Sequence, residues 1–275
     1  MQKEYSSAPL PFVGQKRMFV KEFRQILKQL DESVFVDLFG GSGLLSHIAK
    51  REKPNATIVY NDYDNYRKRL NNITRTNALL ADLRIMTATC PRKKIISKDI
   101  REYILKRIKQ DEVTGFVDYI TLSVSLLFSM KYVVNYEALN KETFYNRVKI
   151  SDYDASGYLD GIIIESSDYK VIFQKYKDVP NVVFLVDPPY LCTEVGTYNM
   201  SWGLADYLDV LTVLRGTSFV YFTSNKSSII ELCEWIERNN EIGNPFSGAH
   251  KKMFNAYMNH NSTYTDIMLY KIKNV

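Results

Sequence analysis

A hydrophobic run that stops at an aspartate followed by two prolines is an unusual way to end a strand, and the segment "VVFLVDPPYLCTE" (Val182–Glu194) does so. Proline fixes φ and has no N–H, and the residue before each proline is held extended, so "DPP" forms a rigid turn that displays acceptors only. Such a turn suits a substrate that brings two donors, as an exocyclic amino group does. The Asp187 carboxylate and the Pro188 carbonyl can each accept one N–H, Pro189 stiffens the turn, and Tyr190 offers a flat face to a heteroaromatic ring.

A second group with chemical potential is "DLFGGSG" (Asp37–Gly43), where a strand passes into a helix. Gly40, Gly41 and Gly43 allow a ligand to approach the backbone closely, and the helix that follows presents N–H groups. About 20 residues on, Asp62 ends the next strand, the place from which a carboxylate accepts hydrogen bonds from ribose hydroxyls. His47 and Ile48 occupy the region where a dinucleotide fingerprint has its third glycine, so the loop alone also fits a plain tight turn.

The elements that must position these groups are visible in the periodicity. "KRMFVKEFRQILKQL" places Phe19, Phe23, Ile26, Leu27 and Leu30 on one helical face ending near Asp31. "SVFVDLF" predicts a strand, "LLSHIAKRE" a helix, and "ATIVYNDYD" a strand ending in a carboxylate, which together make one βαβ unit of a parallel sheet. After residue 161 the rhythm resumes with strands "VVFLV" and "SFVYFTS", the helix "SSIIELCEWIERN", and a closing antiparallel hairpin from "FNAYMNH" and "YTDIMLYKI". In an open sheet of this kind ligands bind beyond the carboxyl ends of the strands, so the glycine loop, Asp62 and Asp187 are expected to share one cleft.

Residues 66–160 differ in character. They are basic, rich in Tyr and Asn, and patterned mostly as helices, such as "IREYILKRIKQ" and "VDYITLSVSLLFSMKY". The expected division is therefore a catalytic domain from 1–65 and 161–275 with an inserted subdomain at 66–160. Between Tyr66 and Lys109 thirteen Lys and Arg face only Asp82, Asp99 and Glu102, against a net charge of +5 for the whole 275-residue chain. A polyanion is the expected partner, with Arg92, Lys93, Lys94 and Lys98 as candidate phosphate contacts; the alternative is a solvated helix face.

With 45% hydrophobic and 24% charged residues the chain reads as an ordinary globular protein. Cys90, Cys192 and Cys233 are odd in number and far apart, so neither a disulfide framework nor a metal site is expected, and a reducing cytoplasm suits them. The first residues lack an apolar signal core, and no run long enough to span a membrane is present. No obligate protein partner is evident.

"PFVGQKR" near the N-terminus, "DLFGGSG" and "DPPY", in that order around a recognition region, resemble the Dam-like (D12 class) DNA adenine-N6 methyltransferases. The resemblance implies an α/β fold, the Rossmann-like fold of S-adenosylmethionine-dependent methyltransferases, with a mainly helical target-recognition insert, in a bacterial or phage-encoded protein acting on double-stranded DNA. It further implies a cofactor site. Phe12, Gly14 and Lys16 belong to the leader motif, with Lys16 near the cofactor carboxylate. Asp37, Phe39, Gly40, Gly41 and Gly43 form the wall, Asp62 holds the ribose, and "ESSDYKVIF" brings Asp168 to the adenine amino group and Tyr169 to its ring edge. Asp187, Pro188, Pro189 and Tyr190 would be catalytic. The insert does not reproduce the residues with which GATC-reading members contact their bases. N4-cytosine or RNA methylation, an inactive nucleic-acid-binding relative, and a small-molecule nucleotide enzyme remain the alternatives.

Overall fold

The computed structural model describes residues 3–128, 131–189, 204–224, 227–239, 244–259 and 262–272. The chain divides into two compact units, one of Glu4–Ser7, Gln15–Asp64 and Leu159–Val275, the other of Met1–Lys3, Ala8–Gly14 and Asn65–Tyr158. In chain order the elements are a 3-10 turn (Arg17–Phe19), α1 (Val20–Gln29), β1 (Val34–Asp37), α2 (Leu44–Glu52), β2 (Thr57–Asn61), α3 (Tyr66–Asn71), α4 (Ile73–Met86), α5 (Lys98–Thr114), α6 (Tyr119–Leu126) and α7 (Tyr136–Asn140). These are followed by β3 (Ile163–Glu165), α8 (Tyr169–Tyr176), β4 (Val182–Val186), α9 (Leu204–Leu214), β5 (Ser218–Ser224), α10 (Ile229–Arg238), β6 (His250–Asn259) and β7 (Ser262–Lys271).

The first unit is built on one sheet with strand order β3-β2-β1-β4-β5-β7-β6. The strands from β3 to β5 are parallel, and β7 and β6 close the sheet antiparallel. Parallel strands covered on both sides should be mostly apolar, and these are apolar through their middles, with polar residues at the ends of β1, β2 and β5. Phe35, Ile58, Val183, Leu185, Val220, Phe222 and Met268 point into a core beneath α1 and α2, while Val36, Val59, Phe184, Val186, Phe219 and Tyr221 point into a second core with residues of α8, α9 and α10. The early helix is shorter than its periodicity predicts: α1 is preceded by the 3-10 turn, which seats Phe19 edge-on against Phe222 and Phe254 at 5.2 and 4.6 Å.

The second unit is helical and has its own core, including Leu79, Leu80, Leu83, Ile104, Leu105, Ile108, Leu122, Leu126 and Phe144. Ala8–Gly14, expected with the sheet, groups here: Tyr66 Oη accepts from Leu10 N at 3.0 Å, and Arg69 Nη2 donates to the Pro11 carbonyl at 2.8 Å. Arg69 Nε also donates to both Asp118 oxygens at 3.0 Å, and Asp118 accepts from Thr121 N, which starts α6. The helix expected over "VDYITLSVSLLFSMKY" covers only Tyr119–Leu126, because Leu127 is extended and the Ser123 hydroxyl is used to accept from Val133 N at 3.0 Å.

The basic run is less free than its composition suggests. Arg69 pairs with Asp118, Arg75 with Asp111, Arg84 with Asp152, Arg107 with Asp82 and Asp111, and Lys109 with Glu112. Most of these acids lie beyond the stretch in which the positive charges cluster, so folding offsets part of what the linear count leaves unbalanced. Among the described residues no helix is long and apolar enough to cross a membrane.

Candidate active site

The carboxyl ends of β1, β2 and β4 carry Asp37, Asp62 and Asp187. Each strand delivers its acid for the same reason: the apolar run ends there, and the next residues turn away from the sheet. The loop after β1 turns tightly, with Gly43 N donating to the Gly40 carbonyl at 2.7 Å, and Gly41 and Gly43 adopt positive φ of 50° and 72°. Gly40 is required for a different reason. A Cβ there would stand 2.2 Å from Cδ2 of the Tyr60 ring and 2.7 Å from the Asn61 carbonyl oxygen.

Tyr60 and Asn61, at the end of β2, organise this corner, although neither stands out in the sequence. The Tyr60 hydroxyl lies 2.8 Å from the Gly41 carbonyl and 2.9 Å from Asp62 Oδ1, so one phenol holds the glycine loop and the acid in register. Asn61 Nδ2 donates to the Leu38 and Ser167 carbonyls at 2.9 Å, and Asn61 Oδ1 accepts from Ser167 N, linking β1 to the segment before α8. Only the position of both residues inside a β-strand beside a glycine loop could have signalled these roles. Tyr60→Phe is expected to weaken S-adenosylhomocysteine binding roughly fivefold, the worth of about one neutral hydrogen bond, while kcat at saturating cofactor stays unchanged. Calorimetric titration beside steady-state rates checks this split.

Asp187 follows β4, and Lys16 Nζ stands 2.7 Å from its Oδ2, with both side chains largely buried. Burial raises the Asp187 pKa to about 6; Lys16 opposes the rise and Asp266 adds to it. Asp37 is fully buried and pushed to about 7 by burial, against the hydrogen bond from Ser46 Oγ at 2.7 Å, with a further rise from Asp187. Its Oδ1 has no protein partner among the described residues. Asp64, two residues after Asp62, is raised to about 6 by burial and by its acidic neighbour.

The other expected site residues are distributed as follows. Phe39 stacks obliquely on Tyr169 with ring centres 4.9 Å apart, and Tyr169 is buried. Asp168 is exposed and caps α8, accepting from Lys170 N at 2.8 Å. Pro188 is buried and Pro189 partly so, while Tyr190 lies outside the described residues. Phe12 and Gly14 belong to the helical unit, where Phe12 meets Tyr66 edge-on at 5.6 Å. Arg92, Lys93, Lys94 and Lys98 are also in that unit and exposed, but Arg92 is tied down by Asn146 Oδ1 and the Val148 carbonyl, at 3.1 and 2.6 Å. His47 is buried against Tyr5, with ring centres 5.3 Å apart, in a packing role.

Residues 12–242 match the family model of the D12 class N6 adenine-specific DNA methyltransferases. The chain belongs to this family. It is also 37% identical over 279 residues to a Haemophilus influenzae protein named "Putative methyltransferase", an alignment spanning 98% of this chain and 93% of that one. A solved precorrin-6y C5,15-methyltransferase from Geobacter metallireducens aligns over 93% of this chain and 89% of its own with 10% identity and a TM-score of 0.33, a likeness too loose to bear on the argument.

The fold is thus that of a Rossmann-like methyltransferase, and the activity is methyl transfer. Membership of the family implies S-adenosylmethionine as methyl donor, and the strand ends suit such a group. Asp37 keeps one buried carboxylate oxygen without a hydrogen bond from the described residues, and Asp62, held by the Tyr60 phenol, follows β2 at the kind of position from which a carboxylate can meet a ribose.

Proposed function

We propose that this methyltransferase modifies N6 of an adenine turned out of double-stranded DNA. The observation that carries the reading is the acceptor-only turn: Asp187 projects from the end of β4, and the two prolines after it offer no N–H to compete with an amino group. Asp187 Oδ and the Pro188 carbonyl would each accept one N–H of the target amine, returning electron density to a nitrogen whose lone pair is otherwise delocalised into the ring. Tyr190 would stack on the base. The bound cofactor supplies a methyl group on a sulfonium centre, electrophilic without further activation. Phe39, Gly40, Gly41 and Gly43 would hold it with Asp62 on its ribose and Asp168 and Tyr169 at its adenine, and positioning supplies most of the rate. A base in a duplex is out of reach of such a cleft, so the target nucleotide must leave the stack.

The helical insert would read the target. Lys93, Lys94 and Lys98 are the exposed candidates for phosphate contact, whereas Arg92 serves its own unit's fold and is left out of the test. Replacing those three lysines together with alanine is expected to reduce the slope of log K against log salt by about 0.9 for each phosphate contact removed, with S-adenosylhomocysteine binding unchanged. A slope equal to the wild type's would make them plain solvated surface.

The decisive experiment is the product. DNA of varied sequence incubated with the protein and S-adenosylmethionine, digested to nucleosides and weighed, should contain N6-methyladenine. N4-methylcytosine as the sole product would overturn the choice of base, and methylation of RNA alone would overturn the substrate class.

A further inference from the structure

Lys16 is held by more than the carboxylate it bonds to. The 3-10 turn that precedes α1 is closed by Phe19 N, which donates to the Lys16 carbonyl at 2.9 Å. Residues three apart in such a turn lie on the same side, so Lys16 and Phe19 face the sheet together. Phe19 is buried and meets two rings edge-on, Phe222 of β5 with centres 5.2 Å apart and Phe254 of β6 with centres 4.6 Å apart. Phe222 is backed in turn by Phe23 of α1, at 6.0 Å.

The register of the sheet brings this aromatic cluster to Asp187. Val186 of β4 pairs with Tyr221 of β5, so Asp187 and Phe222 are the next residues along two neighbouring strands, whose backbones run about 5 Å apart. The ring on which Phe19 packs therefore stands beside the residue that Lys16 reaches, and the turn is gripped at two points: Phe19 by the rings, Lys16 Nζ by Asp187 Oδ2 at 2.7 Å. A lysine stem is long and flexible, and its ammonium stays on one carboxylate oxygen only where the backbone that carries it is fixed. The bond takes Oδ2 and leaves Oδ1 to accept from an amino group, while the positive charge favours the ionised carboxylate. Phe254, on the closing hairpin, has no part in the mechanism as described.

We propose that Phe19 and Phe254 are positioning residues: the Phe254 ring seats Phe19, and Phe19 fixes Lys16 on Asp187 Oδ2, so that the carboxylate is held ionised with its other oxygen left for the substrate. The consequence for methyl transfer rests on the reading that Asp187 receives an amino group; the seating of Lys16 does not. Besides Lys16 from the leader, the charged groups that act on Asp187 are Asp37 from β1 and Asp266 from β7. Phe254 carries no charge, so replacing it removes none of them.

The test is a cycle of Phe254→Leu and Lys16→Gln, read by NMR as the titration of the Asp187 carboxyl carbon. F254L keeps an apolar side chain and removes the ring that Phe19 meets. Val210→Ala, a core change on the opposite face of the sheet, controls for lost stability. An ammonium beside a carboxylate lowers its pKa, so loosening Lys16 should raise the Asp187 midpoint above about 6, toward the value in K16Q. V210A should leave the midpoint in place, and in the K16Q background F254L should add nothing, because no ammonium is left to misplace. A midpoint unmoved in F254L or in K16Q, an equal rise in V210A, or a further rise of the double variant over K16Q would each overturn the proposal. On the nucleic acid that the wild type methylates, the acid limb of kcat/KM should move up with the midpoint in F254L; a limb that stays put would separate the seating of Lys16 from catalysis and overturn the positioning role. If the wild type methylates nothing, the functional reading fails and the NMR arm still decides how Lys16 is seated. Phe254→Met, whose flexible side chain refills the space, replaces F254L should the latter not fold.

Discussion

Asp187→Ala should lose at least about 100-fold in methyl transfer while remaining folded. The size is that of removing one preorganised polar contact to the reacting group; Lys16 loses its partner too, so some fall in stability accompanies the change. A structural role alone would leave the rate per folded molecule intact, so that rate, and not the melting temperature, separates the explanations. The same residue sets a pH dependence. Asp187 is the stronger acceptor when ionised, and burial raises its pKa to about 6, so kcat/KM should be full above that pH and fall as pH drops through it. An acid limb near 4, where an unperturbed carboxylate titrates, would mean that another group controls the rate. Retention of more than about a tenth of the wild-type rate by the alanine variant would remove Asp187 from the mechanism.

Gly40→Ala is the second large effect, expected in stability and binding together. The added methyl would need to occupy space 2.2 Å from the Tyr60 ring and 2.7 Å from the Asn61 carbonyl, and one of those neighbours is backbone. Overpacking of this kind costs about 3 kcal/mol, or a fall in Tm on the order of 10 °C for a unit of this size. The Tyr60 ring cannot move aside without releasing both the Gly41 carbonyl and Asp62, so S-adenosylhomocysteine binding should be lost along with stability. A variant that melts with the wild type and binds normally would show that the loop and β2 are not locked together as described.

Much of this corner could be read from residue order. Apolar runs ending in acids at Asp37, Asp62 and Asp187, and glycines after the first of them, specify a parallel sheet and one busy edge, because period and punctuation are local properties. The closing hairpin of β6 and β7 was legible for the same reason. What escaped depended on distant partners. β3 has three residues, with Ile163 half exposed, so it carries too little pattern to be seen. The pairing of Arg75 with Asp111 and of Arg84 with Asp152 is invisible to a count along the chain. The contacts of Lys16 with Asp187, a residue far along the sequence, and of Asp168 with Lys170 N at the start of α8 are likewise not written in residue order. Tyr60 and Asn61 resemble any strand residues until the glycine loop packs on them.

The placement of the helical unit between β2 and β3 bears on how the sheet is assembled in time. Asn61 and Ser167, which fasten that edge, are 106 residues apart in the chain. Bringing the ends of a flexible loop of that length together costs about 4 kcal/mol in entropy before the β2–β3 contacts offset any of it. The intervening residues have a core of their own, rich in contacts near in sequence, and such structure forms fast. Once it has collapsed, the loop is no longer a hundred free residues. The expected order is insert first, edge strand second, so mutations that loosen Leu79, Ile104 or Leu122 should slow the completion of β3 and the acquisition of cofactor affinity during refolding.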